Sequence, residues 1–237
     1  MNAHRDEIIA IIPARGGSKG IPRKNLVVVG GAPLLAHSIR QARACPRIGR
    51  VFVSTDDDEI ARTARSEGAE VVMRPAWTAV DTASSESALL HALDEYRTVH
   101  GSDPSLVVFL QATSPLRGRD DISNAIGLLE REGADSLFSA CTLEGFLWRR
   151  SADGLYSFSY DYRRRPRRQE APEDLMENGS IYVFKPWVLR EHENRLGGKI
   201  AVYCMDRLHS FQIDTPEDIA LFEKLFLVAN TQSGAAA

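Results

Sequence analysis

EIIAIIPARGGSKGIPRKN, residues 7–25, decides how this chain is read. The apolar run at 8–13 has no polar alternation, so it reads as a strand buried on both faces, the kind found in a parallel sheet covered by helices. It ends in a segment with glycines at 16, 17 and 20 and four cations, Arg15, Lys19, Arg23 and Lys24. A turn with solvated charges is one reading of that segment, and a cradle for polyphosphate is the other. The dinucleotide fingerprint G-x-G-x-x-G does not fit the glycine spacing, and no Lys-Ser or Lys-Thr pair completes a Walker loop. What remains is a Gly-rich loop in which Gly16, Gly17 and Gly20 admit close backbone approach while Arg15, Lys19 and Lys24 supply charge. Backbone N–H groups and point cations of this kind suit a triphosphate, whose charge must be neutralised before an anionic nucleophile approaches.

Outward from the loop the pattern alternates. A helical spacing at 33–44 is followed by a strand at 50–55, a helix at 56–68 opened by Asp56, Asp57 and Asp58 and closed by Gly68, and a strand at 70–74. A helix at roughly 84–100, a strand at 105–111, a helix at 119–132 and a strand at 135–141 continue it. Strands alternating with helices predict an α/β fold with a mostly parallel sheet, whose ligands gather at the carboxyl ends of the strands. The alternation fails between about 143 and 177, where aromatics, arginines and prolines crowd together. That stretch reads as an insertion, after which NGSIYVFK, KIAVYCM and HSFQID read as strands and 215–229 as a closing helix. No repeat or linker divides the chain, so residues 1–230 are expected to form one domain, with a disordered tail at 231–237.

The 237 residues carry a formal net charge of −3, which does not suggest bulk nucleic-acid binding. Three widely spaced cysteines give neither a disulfide framework nor a metal-ligand spacing, and point to the reducing cytoplasm. No apolar run approaches the length of a membrane span. Neither nucleic acid nor a membrane is therefore expected as a partner.

PARGGSKGIPRKN resembles the signature loop of the acylneuraminate cytidylyltransferases, the nucleotidyltransferases that make CMP-sialic acids. RPAWTAVDTASSES (74–87) is similar to that family's cytosine-binding segment, and LQATSPLR, RRQEAP, NGSIYVF and QIDTPED follow in the family's order. The resemblance implies a Rossmann-like nucleotidyltransferase fold and attack by the anomeric hydroxyl of a nine-carbon keto sugar acid on the α-phosphorus of CTP, with pyrophosphate leaving. A ketodeoxyoctonate-type synthetase and a catalytically weakened nucleotide-binding homologue are the alternatives. It implies that Ala14, Arg15, Gly16, Gly17, Ser18 and Asn25, with Lys19 and Lys24, receive the triphosphate, and that Arg74 and Ser85 face the cytosine. Gln111, Arg149, Arg168, Asn178 and Tyr182 would line the sugar pocket, and Arg15, Lys19, Lys24 and Asp214 would carry the catalytic charge. Mg²⁺ would sit on Asp214, a hard ion on a hard oxygen, with Gln212 where the family carries a second aspartate. A homodimer formed through the insertion completes the implied picture.

Several of these residues have plainer readings. Asp214-Thr215-Pro216 is also a helix start, with Thr215 the more direct cap. The run Asp56, Asp57, Asp58 reads as a helix opening rather than a metal cluster. The serines of DTASS include a helix cap, and one serine can cap while Ser85 faces the base. No residue stands out as a general base.

Overall fold

A computed structural model describes residues 6–18, 20–75, 84–170 and 173–234, the side chains of 168 and 228–234 excepted. The apolar run that opens the chain is strand β1 (Ile8–Pro13), and its alternate residues go to opposite faces of the sheet. Ile8, Ala10 and Ile12 join one buried cluster, and Ile9 and Ile11 join another. A strand with period 2 that is apolar at every position has no other stable place.

After β1 the chain forms a small ribbon, β2 (Val28–Val29) and β3 (Ala32–Pro33), then helix α1 (Leu34–Ala44). The alternation continues through β4 (Arg50–Thr55), α2 (Asp58–Ser66), β5 (Glu70–Met73), α3 (Ser85–His100), β6 (Leu106–Leu110), α4 (Asp121–Glu132) and β7 (Ser136–Thr142). A hairpin of β8 (Trp148–Ser151) and β9 (Gly154–Ser157) precedes β10 (Leu175–Phe184), α5 (Pro186–His192), β11 (Ile200–Cys204) and α6 (Pro216–Gly234). The main sheet has the order β11-β7-β10-β6-β1-β4-β5. β10 pairs antiparallel with both β6 and β7, whereas every other pairing in this sheet is parallel. The reversal follows from connectivity: the chain leaves at Thr142, makes the hairpin excursion and returns alongside β7, with Leu175 opposite Thr142. The mostly parallel α/β sheet and the excursion expected at about 143–177 are thus observed.

Helices cover both faces. Leu35 and Ile39 of α1, Ile60 of α2 and Ile126 and Leu129 of α4 pack on one face, and Leu89, Leu93 and Tyr96 of α3 with Leu189 of α5 on the other. Helix ends are set by local chemistry. The Asp57 carboxylate caps α2, accepting from the N–H groups of Glu59 (2.8 Å) and Ile60 (2.9 Å), which holds it below the usual carboxylate range. Gly101 and Gly133 close α3 and α4 in the left-handed conformation.

A third cluster lies apart from the sheet and fixes the site. Ile21 of the Gly-rich loop, Val29, Leu34, Leu116, Ile213 and Phe222 of α6 are buried together. HSFQID therefore differs from its expected strand. Its apolar residues serve this cluster, and the Ile213 N–H donates to the carbonyl of Thr113 (2.9 Å) without forming a ladder. The ribbon and α5 were not foreseen, because each is shorter than a period can reveal. Helix α6 runs on to Gly234, into the stretch expected to be disordered, while residues 235–237 lie outside the described residues. No helix among the described residues is long and apolar enough to cross a membrane.

His37 closes this cluster: its Nε2 donates to the carbonyl of Val29 (2.8 Å), and its ring meets Phe222 and Phe226 edge-on. Burial holds its pKa below the ordinary 6.5, with Arg40 adding in the same sense. The folded state then binds fewer protons than the unfolded chain, so stability present above pH 6.5 is lost as pH falls below it. His37→Gln, whose amide can still donate to Val29, should flatten the fall in thermal midpoint between pH 7 and about 5. An unchanged slope would show that His37 does not titrate on unfolding.

Candidate active site

The carboxyl ends of β1, β5 and β6 and the start of α3 enclose a cleft of about 420 Å³. From the Gly-rich loop, Arg15, Gly17, Ser18, Lys24 and Asn25 line it. Arg74, the residue after β5, and Ser85, the first of α3, line it from the side. Phe109 and Gln111 from β6 and its exit form the far wall. Stretches distant in sequence converge here because parallel strands all deliver their carboxyl ends to one edge.

The loop is held by its own side chains. Lys24–Leu26 forms a turn of 3₁₀ helix entered through Arg23, which stands in the left-handed region at φ 53° and reaches Glu59 at 2.7 Å. Asn25 Nδ2 donates to the carbonyl of Arg15 (2.9 Å), clamping the two sides of the loop. Gly20 is required by contact, since a Cβ there would lie 2.5 Å from the carbonyl oxygen of Asp214. Two expected donors are already committed. The Gly16 N–H binds Asp56 Oδ1 (3.0 Å) and the Ala14 N–H extends the sheet to the carbonyl of Ser54 (2.9 Å). Ala14 and Gly16 thus shape the loop, and Gly17 and Ser18 are the backbone elements that face the cleft. Asp56 was missed as a residue that shapes the loop: its run reads as a helix opening, yet it stands just past the end of β4 and takes the Gly16 N–H.

On the base side, the two serines divide as the plainer reading allowed. Ser84 caps α3, its Oγ accepting from the Ser87 N–H (3.3 Å), and Ser85 faces the cleft. Burial lowers the Arg74 pKa, opposed by Asp56 and reinforced by Arg15, and Arg74 Nε has no partner among the described residues. A buried guanidinium N–H without an acceptor is costly in water-free surroundings, and a ligand carbonyl would satisfy it.

At the opposite end Lys24 Nζ stands 2.9 Å from Asp214 Oδ1. Asp214 is held by its backbone: its N–H and that of Thr215 both donate to Asp218 Oδ2 (2.9 and 2.8 Å), a reciprocal arrangement at the start of α6 that lowers the Asp218 pKa. This leaves the Asp214 side chain 59% exposed, a hard oxygen donor beside Lys24. One carboxylate with substrate phosphates and waters is the set Mg²⁺ ordinarily takes, so the donors fit that ion. No cluster of three acidic, histidine or cysteine side chains suited to a metal occurs among the described residues.

The remaining expected residues are placed less uniformly. Asn178 is buried, its carboxamide accepting from Ser139 Oγ (2.6 Å) and donating to Ser210 Oγ (2.8 Å), so it braces the sheet instead of facing the cleft. Tyr182 is also buried, stacked on Phe109 with ring centroids 5.2 Å apart and its hydroxyl bonded to Glu177; it stands behind the cleft wall. Burial, with that carboxylate, raises its pKa. Over both rings lies the guanidinium of Arg195, ion-paired with Glu86 at 2.6 Å, a pair the sequence did not single out. Gln212 Nε2 donates to the carbonyl of Asn178, and its side chain and that of Gln111 both lie over Gly179, where φ is 64° and a Cβ would strike both. Arg149 lies on the hairpin over Phe158, away from this chain's cleft. Lys19 and the Arg168 side chain lie outside the described residues.

Residues 9–234 match the model of the cytidylyltransferase family. The chain is 34% identical to N-acylneuraminate cytidylyltransferase A of Danio rerio over 93% of its length, and 32% identical to the Escherichia coli N-acylneuraminate cytidylyltransferase over 92%. It spans about half the length of each, 51% in both cases. It is 30% identical to the post-translational flagellin modification protein B of Campylobacter coli, covering 96% of this chain and 98% of that one. Among solved structures, a CMP:2-keto-3-deoxy-manno-octonic acid synthetase complexed with CTP superposes with a TM-score of 0.68 at 18% identity, covering 95% of this chain and 100% of that one, a likeness of fold. With its Gly-rich loop, its mostly parallel sheet and a match along nearly its whole length, the chain belongs to the cytidylyltransferase family.

Proposed function

We propose that this protein transfers CMP from CTP to the anomeric hydroxyl of a nine-carbon keto sugar acid of sialic, legionaminic or pseudaminic type. The observation that carries this reading is the single cleft that joins Arg15, Ser18 and Lys24 to Arg74, Ser85 and Gln111. Cations for a triphosphate, a guanidinium whose Nε has no partner among the described residues for a base, and an amide for an acceptor are thereby within one ligand's reach. The hydroxyl oxygen attacks the α-phosphorus, the bond to the β-phosphate oxygen breaks, pyrophosphate leaves and the hydroxyl proton passes to solvent. Positioning and charge neutralisation do most of the work in such transfers. Asp214 would hold Mg²⁺, with Gln212 as a neutral neighbour; when bound, the ion polarises the α-phosphate. Relatives named for N-acylneuraminate and for flagellin modification support a nine-carbon acceptor. Mg²⁺-dependent pyrophosphate release from CTP, measured with a panel of keto sugar acids that includes ketodeoxyoctonate, tests the proposal. Turnover confined to the eight-carbon acid, or none at all, would overturn it.

Base choice gives a separate test. Ser85→Ala should weaken CTP binding or relax discrimination by about 1–3 kcal/mol, the cost of leaving a buried polar group unpaired. Equal use of all four nucleoside triphosphates by the wild type would remove Arg74 and Ser85 from base reading.

The hairpin supports a homodimer. Leu155, Tyr156, Phe158 and Tyr162 are exposed on it, more apolar surface than a solvated arm needs. A second copy seated there would cover these side chains and bring Arg149, and the segment of Arg168, toward the partner's acceptor site. Leu155 is 58% exposed, so Leu155→Asp should leave the fold intact while shifting sedimentation from dimer to monomer and reducing turnover. A fully active monomer at micromolar concentration would refute the dimer.

A further inference from the structure

Arg117 ends the stretch LQATSPLR and is only 6% exposed. Among the described residues it donates five hydrogen bonds, all to neutral oxygens. Nη2 donates to the carbonyls of Gln111 (2.6 Å) and Ser180 (2.7 Å), Nε to Ser180 again (3.1 Å), and Nη1 to Ser38 Oγ (2.9 Å) and Gln41 Oε1 (3.0 Å). Among the described residues no carboxylate pairs with it. Asp121 attracts it without contact, its oxygens bonded to the Gly118 N–H (2.6 Å) and the Tyr203 hydroxyl (3.0 Å). Burial pushes the Arg117 pKa down to about 9.

A buried cation without a counter-ion is expensive, and packing alone does not call for one. What the guanidinium supplies that an apolar or singly donating side chain does not is a rigid fork with five fixed donors. The fork joins two backbone points on different strands: the exit of β6 at Gln111 and the irregular part of β10 at Ser180, beside Gly179. The side chain of Gln111 passes over that same Gly179 into the cleft.

We infer that Arg117 is a positioning residue for the acceptor half of the reaction, fixing Gln111 against the β10 irregularity so that its amide meets the sugar acid in a single pose. This rests on the proposed function. Arg117 touches neither substrate and acts through Gln111, so its effect is specific to the acceptor and depends on Gln111 being present.

Steady-state kinetics on the full chain, with CTP affinity from calorimetry, test this. Arg117→Lys keeps the charge and loses the fork. It should reduce kcat/KM for the sugar acid about tenfold to a hundredfold, the scale of an ångström-sized misplacement, while CTP affinity stays within about twofold. In a Gln111→Ala background the same change should cost less than about twofold. If Arg117→Lys does not fold, Gln41→Leu removes one anchor of the guanidinium and should give a loss of about threefold in the same direction, again absent in Gln111→Ala. Losses that are equal for both substrates, or that add fully to Gln111→Ala, would show a merely structural arginine and overturn the inference. A wild type inactive with every keto sugar acid would overturn the functional reading and this inference with it; an active wild type with additive variants overturns the inference alone.

Discussion

Asp214→Ala should reduce Mg²⁺-dependent pyrophosphate release about a thousandfold or more. Loss of a metal's hold on a phosphoryl oxygen removes several kcal/mol of charge stabilisation, and each 1.4 kcal/mol is about tenfold in rate. The effect should be local. Asp214 is fixed through its backbone by Asp218 and through the neighbouring Ile213 N–H, so the alanine variant loses the half-exposed pair with Lys24 and retains the backbone contacts that hold the segment. Thermal unfolding should therefore change little. Gln212→Asp should keep activity and lower the Mg²⁺ concentration for half-maximal rate, because a second anionic oxygen is added. Wild-type turnover and metal dependence in Asp214→Asn would move the metal elsewhere.

Lys24→Ala should lower kcat by about a hundredfold to a thousandfold, the usual loss when one preorganised electrostatic partner of a transition state is removed. The lysine side chain is 16% exposed and already directed by Asp214, so its charge is in place before substrate arrives and needs no reorganisation. Removing it also leaves the Asp214 carboxylate and the triphosphate with one cation fewer between them. Raised ionic strength should therefore narrow the gap between variant and wild type, since salt screens the repulsion. A Lys24→Ala enzyme with near-normal kcat would take this cation out of the mechanism.

The parallel part of the fold was legible because a continuous apolar run such as IIAIIP admits one placement, and because each helix after it carries a readable start or stop, Asp57 for α2 and Gly101 for α3. The convergence of the Gly-rich loop, Arg74 and Ser85 on one cleft was legible for a related reason: these residues sit in short stretches just past strand ends, so nearness in sequence becomes nearness in space. The acceptor half was not. Asn178 and Tyr182 stand at a register shift in β10 between Glu177 and Tyr182, to which Gln212 is bonded from outside the sheet, and where a strand shifts register its side chains no longer follow the two-residue period. Asp56 was hidden by a stronger local signal, the helix opening at Asp57. The strand expected at HSFQID failed because alternation reports which side chains are buried and does not say whether the backbone has a ladder partner.

The contact between Lys24 and Asp214 spans 190 positions, with the Gly-rich loop made before its partner. At translation rates of about 5–20 residues per second, about 10–40 s separate the emergence of the two groups from the ribosome. During that interval the loop's cations and the apolar residues of the third cluster, Ile21 and Val29 among them, have neither Asp214 nor α6 to cover them. The nascent chain thus presents an apolar surface that the finished protein conceals, and any fragment released before residue 214 carries the loop without its acidic partner. The partner of Lys24 and the cover of that surface arrive together, as residues 214–222 are made.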